Sequence, residues 1–404
     1  MKACFITLFF MLAYVNVISS ETDPFSVQEE LFRTPQVSDA AAFSAASSPE
    51  LKGIFYENAV SNGEKTQVFA WLGIPNGVKG KVPAVVLVHG GGGTAFRYWA
   101  KLWLKRGYAV IAMDHGGGIP QNNGDSGADK SIPHSNGGPR LQKLFASAML
   151  PAQDQWAYHA VSAIIRANSL LRSIPEVDSG KIGLIGISWG GVASEIALGI
   201  DGRFQYGIIV YANGFLHENS LWKDTEFKTV SDVAVKRWTA LWDPSNYLGK
   251  SNLPILFVNG AADPCFRPDV WQKTYRLIAQ GNRNLVYRTF MPHGHPPAGE
   301  PDEIAAFASS MTQSTEPLPQ IISQSDDSIV YESALPLQKA ELCYTVEHGA
   351  WNKRKWQTVP LSAGAQKNSI KFNVPMEATA YFINLYDHRN LIASGEMIIS
   401  KKEN

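Results

Sequence analysis

A serine flanked by glycines is the first set of residues in this chain whose types and spacing could do chemistry. Gly186, Ser188 and Gly190 form a G-x-S-x-G pattern between an apolar run, residues 182–187, and a helix-like run that begins at Val192. On a strand-turn-helix, such a serine sits in a strained turn with no room for flanking side chains, and its hydroxyl is exposed above the sheet. The pattern predicts a nucleophilic Ser188, whereas the same letters alone could form an ordinary glycine-rich loop.

A serine hydroxyl becomes a good nucleophile only when a histidine takes its proton and a carboxylate orients that histidine. Asp263 follows the apolar run 254–258, and His293 and His295 follow the run 286–291. The resulting chain order is Ser, Asp, His. We predict Asp263 as the acid, although Asp before Pro is also a common turn signal. We favour His295 as the base because the loop before it is longer, with His293 as an alternative base or a support of the loop.

A glycine run supplies candidates for stabilising a negative oxygen. His89 directly follows the apolar run 84–88. Four glycines come after it, and their backbone N–H groups can approach a ligand closely. We predict that Gly91 and Gly92 form an oxyanion hole with the N–H of Trp189, the residue after the serine. A flexible connection between strand and helix is the plainer alternative.

The elements that must position these residues alternate between short apolar runs and helical periods, after an opening hairpin over residues 51–60 and 66–74. This alternation predicts a mostly parallel sheet with helices on both faces and ligands at the carboxyl ends of its strands. The predicted strands are 83–88, 108–113, 181–187, 206–211, 254–258 and 285–291, and the predicted helices are 96–106, 154–172, 270–279 and 301–311.

Together these motifs resemble the α/β-hydrolase superfamily, and within it the acetylxylan-esterase-like, dienelactone-hydrolase-related serine hydrolases. The likeness spans about residues 51–311 and is carried by the segments 83–96, 106–110, 186–191, 242–245 and 291–295. It implies an α/β-hydrolase fold and hydrolysis of a carboxylic ester through an acyl-enzyme, as in a carbohydrate esterase of acetylxylan-esterase type. Dienelactone hydrolases proper use a cysteine nucleophile, so Ser188 favours the serine esterases.

The ends of the chain differ in character from its middle. Residues 1–20 have a basic start, an apolar core and small residues at the end, which predicts a signal peptide and a secreted or periplasmic protein, with an uncleaved anchor as the alternative. We assign residues 21–312 to the catalytic domain. After a Pro/Ser/Thr-rich linker, residues 325–404 read as short strands of a fibronectin- or immunoglobulin-like β-sandwich that docks on the hydrolase or binds carbohydrate.

Charge and cysteine content exclude several classes of partner. The chain has 36 Lys and Arg against 36 Asp and Glu, so no electrostatic pattern favours nucleic acid or an anionic membrane. Beyond the predicted signal only Cys265 and Cys343 remain, and the spacing of two cysteines does not say whether they pair. We predict neither a metal site nor a cofactor. The expected partner is a small-molecule or carbohydrate ester, and no oligomeric state is predicted.

Two segments are expected to shape the site. Residues 116–152 form a long Gly/Asn/Pro/Ser-rich loop on the catalytic side of the sheet. Residues 215–248 carry aromatic side chains that suit either sugar stacking or core packing: Trp222, Phe227, Trp238, Trp242 and Tyr247.

Two other functions remain open. A prolyl-oligopeptidase-like peptidase shares the resemblance, but no β-propeller fits before residue 83. An inert hydrolase-like binding protein is the alternative from outside the enzymes, because a fold alone does not establish chemistry.

Overall fold

The computed structural model describes residues 24–26, 29–295, 301–362 and 368–400. The predicted signal peptide, residues 1–20, lies outside the described residues. Within the described ranges, no helix is long and apolar enough to cross a membrane.

Strands and helices alternate through the first three quarters of the described chain. Strands β1 to β11 are, in order, Val37–Asp39, Leu51–Ser61, Glu64–Gly73, Val82–Val88, Ala109–Met113, Gly118–Pro120, Ser131–Pro133, Val177–Ile187, Tyr206–Val210, Ile255–Gly260 and Arg283–Arg288. Helices α1 to α7 are Arg97–Lys105, Trp156–Ser173, Trp189–Ile200, Leu221–Asp224, Asp232–Trp242, Pro268–Tyr275 and Asp302–Thr312.

Nine of these strands form one sheet in the order β1-β2-β3-β5-β4-β8-β9-β10-β11, counted over the described residues. The strands from β5 to β11 in this order are parallel, whereas β1, β2 and β3 pair antiparallel. The prediction of a mostly parallel central sheet is therefore confirmed. The pair β6 and β7 stands apart as a small antiparallel ribbon in the predicted 116–152 loop.

Both faces of the sheet are buried because helices cover each one. Val86 and Leu184 belong to the apolar cluster that includes residues of α2 and α3, while their neighbours Val85 and Ile185 belong to the cluster that includes residues of α1 and α7. Strands with apolar residues on both faces are typical of a parallel sheet between helical layers. Since parallel strands end at the same edge, β4, β8, β10 and β11 carry the loops that follow them to one side of the molecule.

The last part of the described chain forms two antiparallel sheets. Strands β12 to β19 are Gln320–Gln324, Ser328–Glu332, Leu337–Thr345, Gln357–Leu361, Ser369–Lys371, Ala380–Asp387, Ile392–Ser394 and Ile398–Ile399. One sheet has the order β12-β13-β16, and the other has the order β15-β14-β17-β18, with β19 also on β17. This agrees with the predicted β-sandwich. One difference concerns its start: β12 lies in the segment interpreted as linker, because Gln320–Gln324 pairs antiparallel with β13.

The sandwich covers the outer edge of β11, the last strand of the central sheet. The backbone N–H of Tyr287 donates to Ser394 Oγ (2.7 Å), and the Tyr287 carbonyl accepts from Asn384 Nδ2 (3.1 Å). Ser394 Oγ in turn donates to Asn384 Oδ1 (2.6 Å). An open strand edge invites pairing with other chains, and these side chains take the place of a neighbouring strand. The sandwich therefore docks on the part of the chain that forms the central sheet, which is one of the two roles expected for it.

We predict that removing the Ser394 hydroxyl destabilises the protein. Ser394→Ala would leave the buried N–H of Tyr287 without its partner, which costs about 1–3 kcal/mol in the free energy of unfolding. Urea unfolding would measure the loss, and Ser323→Ala, at an exposed position of β12, should change it by no more than about 0.5 kcal/mol. Equal effects of the two substitutions would contradict the edge-capping role.

Candidate active site

Ser188 occupies a strained turn, the elbow, between β8 and α3. Its backbone has φ 55° and ψ −124°, and it is the residue directly before the helix. A positive φ is unfavourable for a residue with a side chain and persists only where the surroundings enforce it. Here the Ser188 N–H donates to the Val210 carbonyl at the end of β9 (3.0 Å), which ties the turn to the next strand.

Steric contacts in the structure require glycine at both glycine positions of the motif, Gly186 and Gly190. A Cβ on Gly186 would lie 2.6 Å from the Gly190 carbonyl oxygen, and a Cβ on Gly190 would lie 2.5 Å from the Val88 carbonyl oxygen. Both distances are too short for a carbon atom. The backbones of β4, β8 and α3 therefore approach each other so closely that only glycine fits at these two positions.

We predict that Gly190→Ala lowers the free energy of unfolding by about 1–3 kcal/mol, because the added methyl group forces β4 and α3 apart. Gly202→Ala is the matched control, since a Cβ there would contact nothing within 4 Å. Thermal unfolding of the two variants would test this. A Gly190→Ala variant as stable as Gly202→Ala would contradict the contact argument.

Three side chains from three strand ends form a continuous hydrogen-bonded chain. Ser188 Oγ lies 3.0 Å from His293 Nε2, and His293 Nδ1 lies 2.7 Å from Asp263 Oδ2. The carboxylate has no proton to donate, so Nδ1 carries the hydrogen and Nε2 is left to accept the serine proton. Ser188 is 7% exposed and Asp263 is 1% exposed, so the acid is shielded from water while the serine still reaches the surface.

The loop after β10 orients the carboxylate of Asp263. Its Oδ1 accepts from the backbone N–H groups of Cys265 (2.8 Å) and Phe266 (2.7 Å), which leaves Oδ2 directed at His293. Asp263 thus makes both interactions considered from the sequence: it initiates a turn with one oxygen and orients a histidine with the other.

The preference for His295 as the base is corrected by this geometry. His293 bonds Ser188, whereas His295 Nε2 lies 3.3 Å from the backbone nitrogen of Gly90. The reason is the length of β11, which was expected to continue to Met291 but ends at Arg288. The connecting loop therefore begins three positions earlier, and His293 already has the reach that the argument gave to His295.

Tyr211 fixes the loop that carries the base, a role that sequence reasoning missed. Its hydroxyl donates to the Gly294 carbonyl (2.9 Å) and accepts from the Gly294 N–H (3.1 Å). Its ring lies against the imidazole of His293, with centroids 4.1 Å apart. Its position along the chain could have indicated this role, because Tyr211 directly follows β9, the strand beside β8.

The glycine run lies directly over the elbow. A Cβ on Gly90 would be 3.3 Å from Ser188 Cβ, and one on Gly91 would be 2.7 Å from Trp189 Cδ1. Trp189 is the first residue of α3, where backbone N–H groups have no acceptor within the helix. Gly91 and Trp189 are thus neighbours at the site, and the oxyanion hole between their N–H groups stays a prediction. Gly92 lies further out: a Cβ there would contact nothing within 4 Å.

Beneath the glycine run, Asp114 holds the loops that follow β4 and β5. Its carboxylate accepts from the N–H groups of Gly116 (2.9 Å) and Gly118 (3.0 Å) and from Thr94 Oγ1 (3.2 Å). Burial by itself would raise the pKa of Asp114, but its interaction with His89 and its hydrogen bonds hold that pKa well below the usual range. The carboxylate is therefore charged in the folded protein.

We predict that Asp114→Asn lowers the free energy of unfolding at neutral pH by about 1.5–3 kcal/mol, the value of hydrogen bonds to a charged group. Because the pKa of Asp114 is depressed on folding, its contribution is complete above the unfolded-state pKa of about 3.9 and declines as the pH falls below it. Urea unfolding between pH 7 and pH 3 would show the deficit of the variant shrinking only below about pH 4. A deficit that grows on acidification would contradict this sign. Asp39→Asn, at an exposed position of β1, is the control.

The aromatic residues of segment 215–248 are packed rather than available to a sugar. All five are buried: Trp222, Phe227, Trp238, Trp242 and Tyr247. Two of them surround the side chain of Trp189, with ring centroids at 4.6 Å for Trp222 and 6.4 Å for Trp238. The sugar-stacking interpretation is therefore wrong for these residues. Trp222 and Trp238 instead pack against Trp189, the residue after the nucleophile.

A thiol also lies at the site, within a group of three closely spaced side chains. Asp263, Cys265 and His293 each offer a ligand atom, and these atoms lie within 4.8 Å of one another. Two of the three are already joined by the hydrogen bond described above. Cys265 and Cys343 are free, and burial, together with the charge of Asp263, raises the pKa of Cys265 to about 12.

The sheet, the elbow and the three strand-end loops together have the arrangement of the α/β-hydrolase fold. Residues 36–212 match the sequence model of the acetyl xylan esterase (AXE1) family. The segment that holds the glycine run and Ser188 is thus similar to the acetyl xylan esterases. The matched segment includes the glycine run and Ser188 and ends before Asp263 and His293.

Two solved structures of acetyl xylan esterases are similar to the chain. The enzyme Acetyl Xylan Esterase 1 from Thermoanaerobacterium sp. JW/SL YS485 has a TM-score of 0.52 and 17% identity, over 69% of this chain and 88% of its own. The enzyme from Paenibacillus sp. R4 has a TM-score of 0.54 and 18% identity, over 74% of this chain and 93% of its own. At such identities the likeness shows the shared fold. No curated protein matches the chain.

Proposed function

We propose that this protein is a secreted carboxylic ester hydrolase that removes acetyl groups from a carbohydrate through an acyl-enzyme on Ser188. The observation that carries the proposal is the unbroken chain from Ser188 Oγ through His293 to Asp263, with lengths of 3.0 and 2.7 Å. A hydroxyl in contact with an oriented, neutral imidazole is the arrangement that nucleophilic acyl transfer requires.

The first half of the reaction forms the acyl-enzyme. His293 Nε2 takes the proton of Ser188 as Oγ attacks the ester carbonyl carbon, and the imidazolium that results is stabilised by Asp263. The carbonyl oxygen becomes negative and accepts hydrogen bonds from the N–H groups of Gly91 and Trp189. When the tetrahedral intermediate collapses, His293 gives its proton to the departing sugar hydroxyl and the acetyl group remains on Ser188.

The second half releases the acid. Water loses a proton to His293 Nε2 and attacks the acyl carbon, and collapse of the second intermediate returns the proton to Ser188 Oγ and frees acetate. All proton transfers pass through one nitrogen atom. The His293 imidazole must therefore stay in one place throughout, which the bonds of Tyr211 to Gly294 favour.

The acetylated carbohydrate is the finer part of the proposal. It is supported by the match of residues 36–212 to the acetyl xylan esterase family and by the two solved esterases of the same fold. Secretion is supported by the composition of residues 1–20. An extracellular esterase of this kind would act on a polysaccharide that does not enter the cell.

We predict that Ser188→Ala and His293→Ala each lower kcat by at least about 10³-fold. The serine is a poor nucleophile without the histidine that takes its proton, and the histidine has no nucleophile to activate without the serine. Acetate release from acetylated xylan, and hydrolysis of 4-nitrophenyl acetate, would measure the loss. Ser323→Ala should keep the activity of the unmodified protein. Equal rates for Ser188→Ala and the unmodified protein would refute an acyl-enzyme on this serine. Cleavage of aminoacyl amides without cleavage of acetyl esters would favour a peptidase instead.

A further inference from the structure

His295, which is not the base, is held in a site of its own. Its Nε2 lies 3.3 Å from the Gly90 nitrogen, and its Nδ1 lies 3.4 Å from the Tyr98 hydroxyl. Its ring packs on Phe96 and Trp99, with centroid distances of 4.6 and 5.4 Å. Because a backbone N–H can only donate, Nε2 must be the unprotonated nitrogen and Nδ1 must carry the hydrogen. One neutral tautomer of His295 satisfies both contacts.

Gly90 is the point at which the glycine run needs such support. A Cβ there would lie 3.3 Å from Ser188 Cβ, so a larger residue would crowd the nucleophile. Glycine, however, has more conformational freedom than any other residue, and nothing in its own structure fixes the direction of the following peptide group. Hydrogen bonds to the two peptide groups of Gly90 must supply what a side chain cannot.

Both peptide groups of Gly90 are in fact held. His295 accepts from the Gly90 N–H, and the Gly90 carbonyl accepts from the Gly93 N–H (2.9 Å) and from His89 Nδ1 (2.7 Å). In a trans peptide the C=O of one residue and the N–H of the next lie in one plane and point in opposite directions. Fixing the Gly90 carbonyl therefore aims the N–H of Gly91, and fixing the Gly90 N–H prevents the preceding peptide from rotating.

We infer that His295 is a positioning residue for the oxyanion loop, residues 90–93. It fixes the peptide group before Gly90, while His89 and Gly93 fix the one after it, and both bonds are needed for the N–H of Gly91 to face the developing negative oxygen. The inference rests on the proposed acyl transfer at Ser188. It places the base and the anchor of the oxyanion loop on the same short segment: His293 and His295 flank Gly294, and Tyr211 bonds both polar groups of that glycine.

The electrostatic surroundings keep His295 in the form that this role needs. Burial, with the nearby His89 and His293, lowers the pKa of His295 to about 3. Its imidazole is therefore neutral at any pH at which the triad could work, and Nε2 keeps the lone pair that accepts from Gly90.

Two substitutions at this position separate the acceptor from the ring. His295→Phe keeps an aromatic ring against Phe96 and Trp99 but accepts no hydrogen bond, whereas His295→Gln keeps an acceptor atom. We expect kcat of His295→Phe to fall about 10- to 100-fold, less than the 10²–10³-fold cost of deleting an oxyanion donor, with KM changed less than about threefold. His295→Gln should recover part of this loss. The pH midpoint of kcat/KM should stay the same in both variants, because His293 remains the base.

A measurement independent of the natural substrate completes the test. The rate at which a fluorophosphonate labels Ser188 depends on the triad and on the oxyanion loop but not on the acyl group or the alcohol. We expect slower labelling of His295→Phe and partial recovery in His295→Gln. If the unmodified protein is not labelled, both this inference and the proposed acyl transfer fail. If it is labelled and His295→Phe reacts at the same rate, only the positioning role is overturned.

Two outcomes guard against misinterpretation of the His295→Phe variant. A change in the pH midpoint of kcat/KM in His295→Phe would overturn the positioning role, since His295 would then exchange protons with Ser188. If His295→Phe loses its cooperative melting transition, Tyr98→Phe provides the second variant, because it removes the partner of Nδ1 and leaves His295 in place. We expect a drop of severalfold in kcat for Tyr98→Phe, and unchanged kcat and labelling would overturn the inference.

Discussion

The close approach of β4, β8 and α3 at the elbow is the constraint on which the rest of the site depends. Ser188 has φ 55°, a conformation that costs on the order of 1–3 kcal/mol and must be enforced by its surroundings. Enforcement comes from the glycine contacts on one side and from the bond to the Val210 carbonyl on the other. The parallel sheet is thus more than a scaffold, because the Ser188 hydroxyl stays directed at His293 only while β4 and β9 stay against β8.

The same dependence extends to the C-terminal sandwich. The base follows β11, which is the outermost strand of the central sheet, and an outermost strand is where local opening is easiest. Ser394 and Asn384 bond the free edge of this strand at Tyr287, and Phe382 packs on the Tyr287 ring with centroids 5.0 Å apart. The sandwich therefore stabilises the strand that leads to His293. A domain that supplies none of Ser188, Asp263 and His293 can in this way affect the position of His293.

Much of this arrangement could be predicted from the sequence because local patterns determine it. Apolar runs predicted the strands and a mostly parallel sheet, and the glycines around Ser188 predicted the elbow. The choice between His293 and His295 failed because it depended on where β11 ends, and the boundary at Arg288 follows from pairing with β10 rather than from any local signal. The buried aromatics of segment 215–248 could not be assigned for a related reason: composition is the same for a sugar platform and for a core. Only the fold places Trp222 and Trp238 against Trp189.

Two histidines two residues apart thus acquire opposite chemistry from their neighbours. His293 faces a carboxylate on one side and a hydroxyl on the other, so a proton can move onto its Nε2 with the charge compensated. His295 faces a backbone N–H and a tyrosine hydroxyl, and burial with the nearby His89 and His293 lowers its pKa, so it remains neutral. Gly294, which lies between the two histidines, separates these roles. Tyr211 holds the N–H and the carbonyl of Gly294, and the imidazoles of His293 and His295 contact different partners on either side of it.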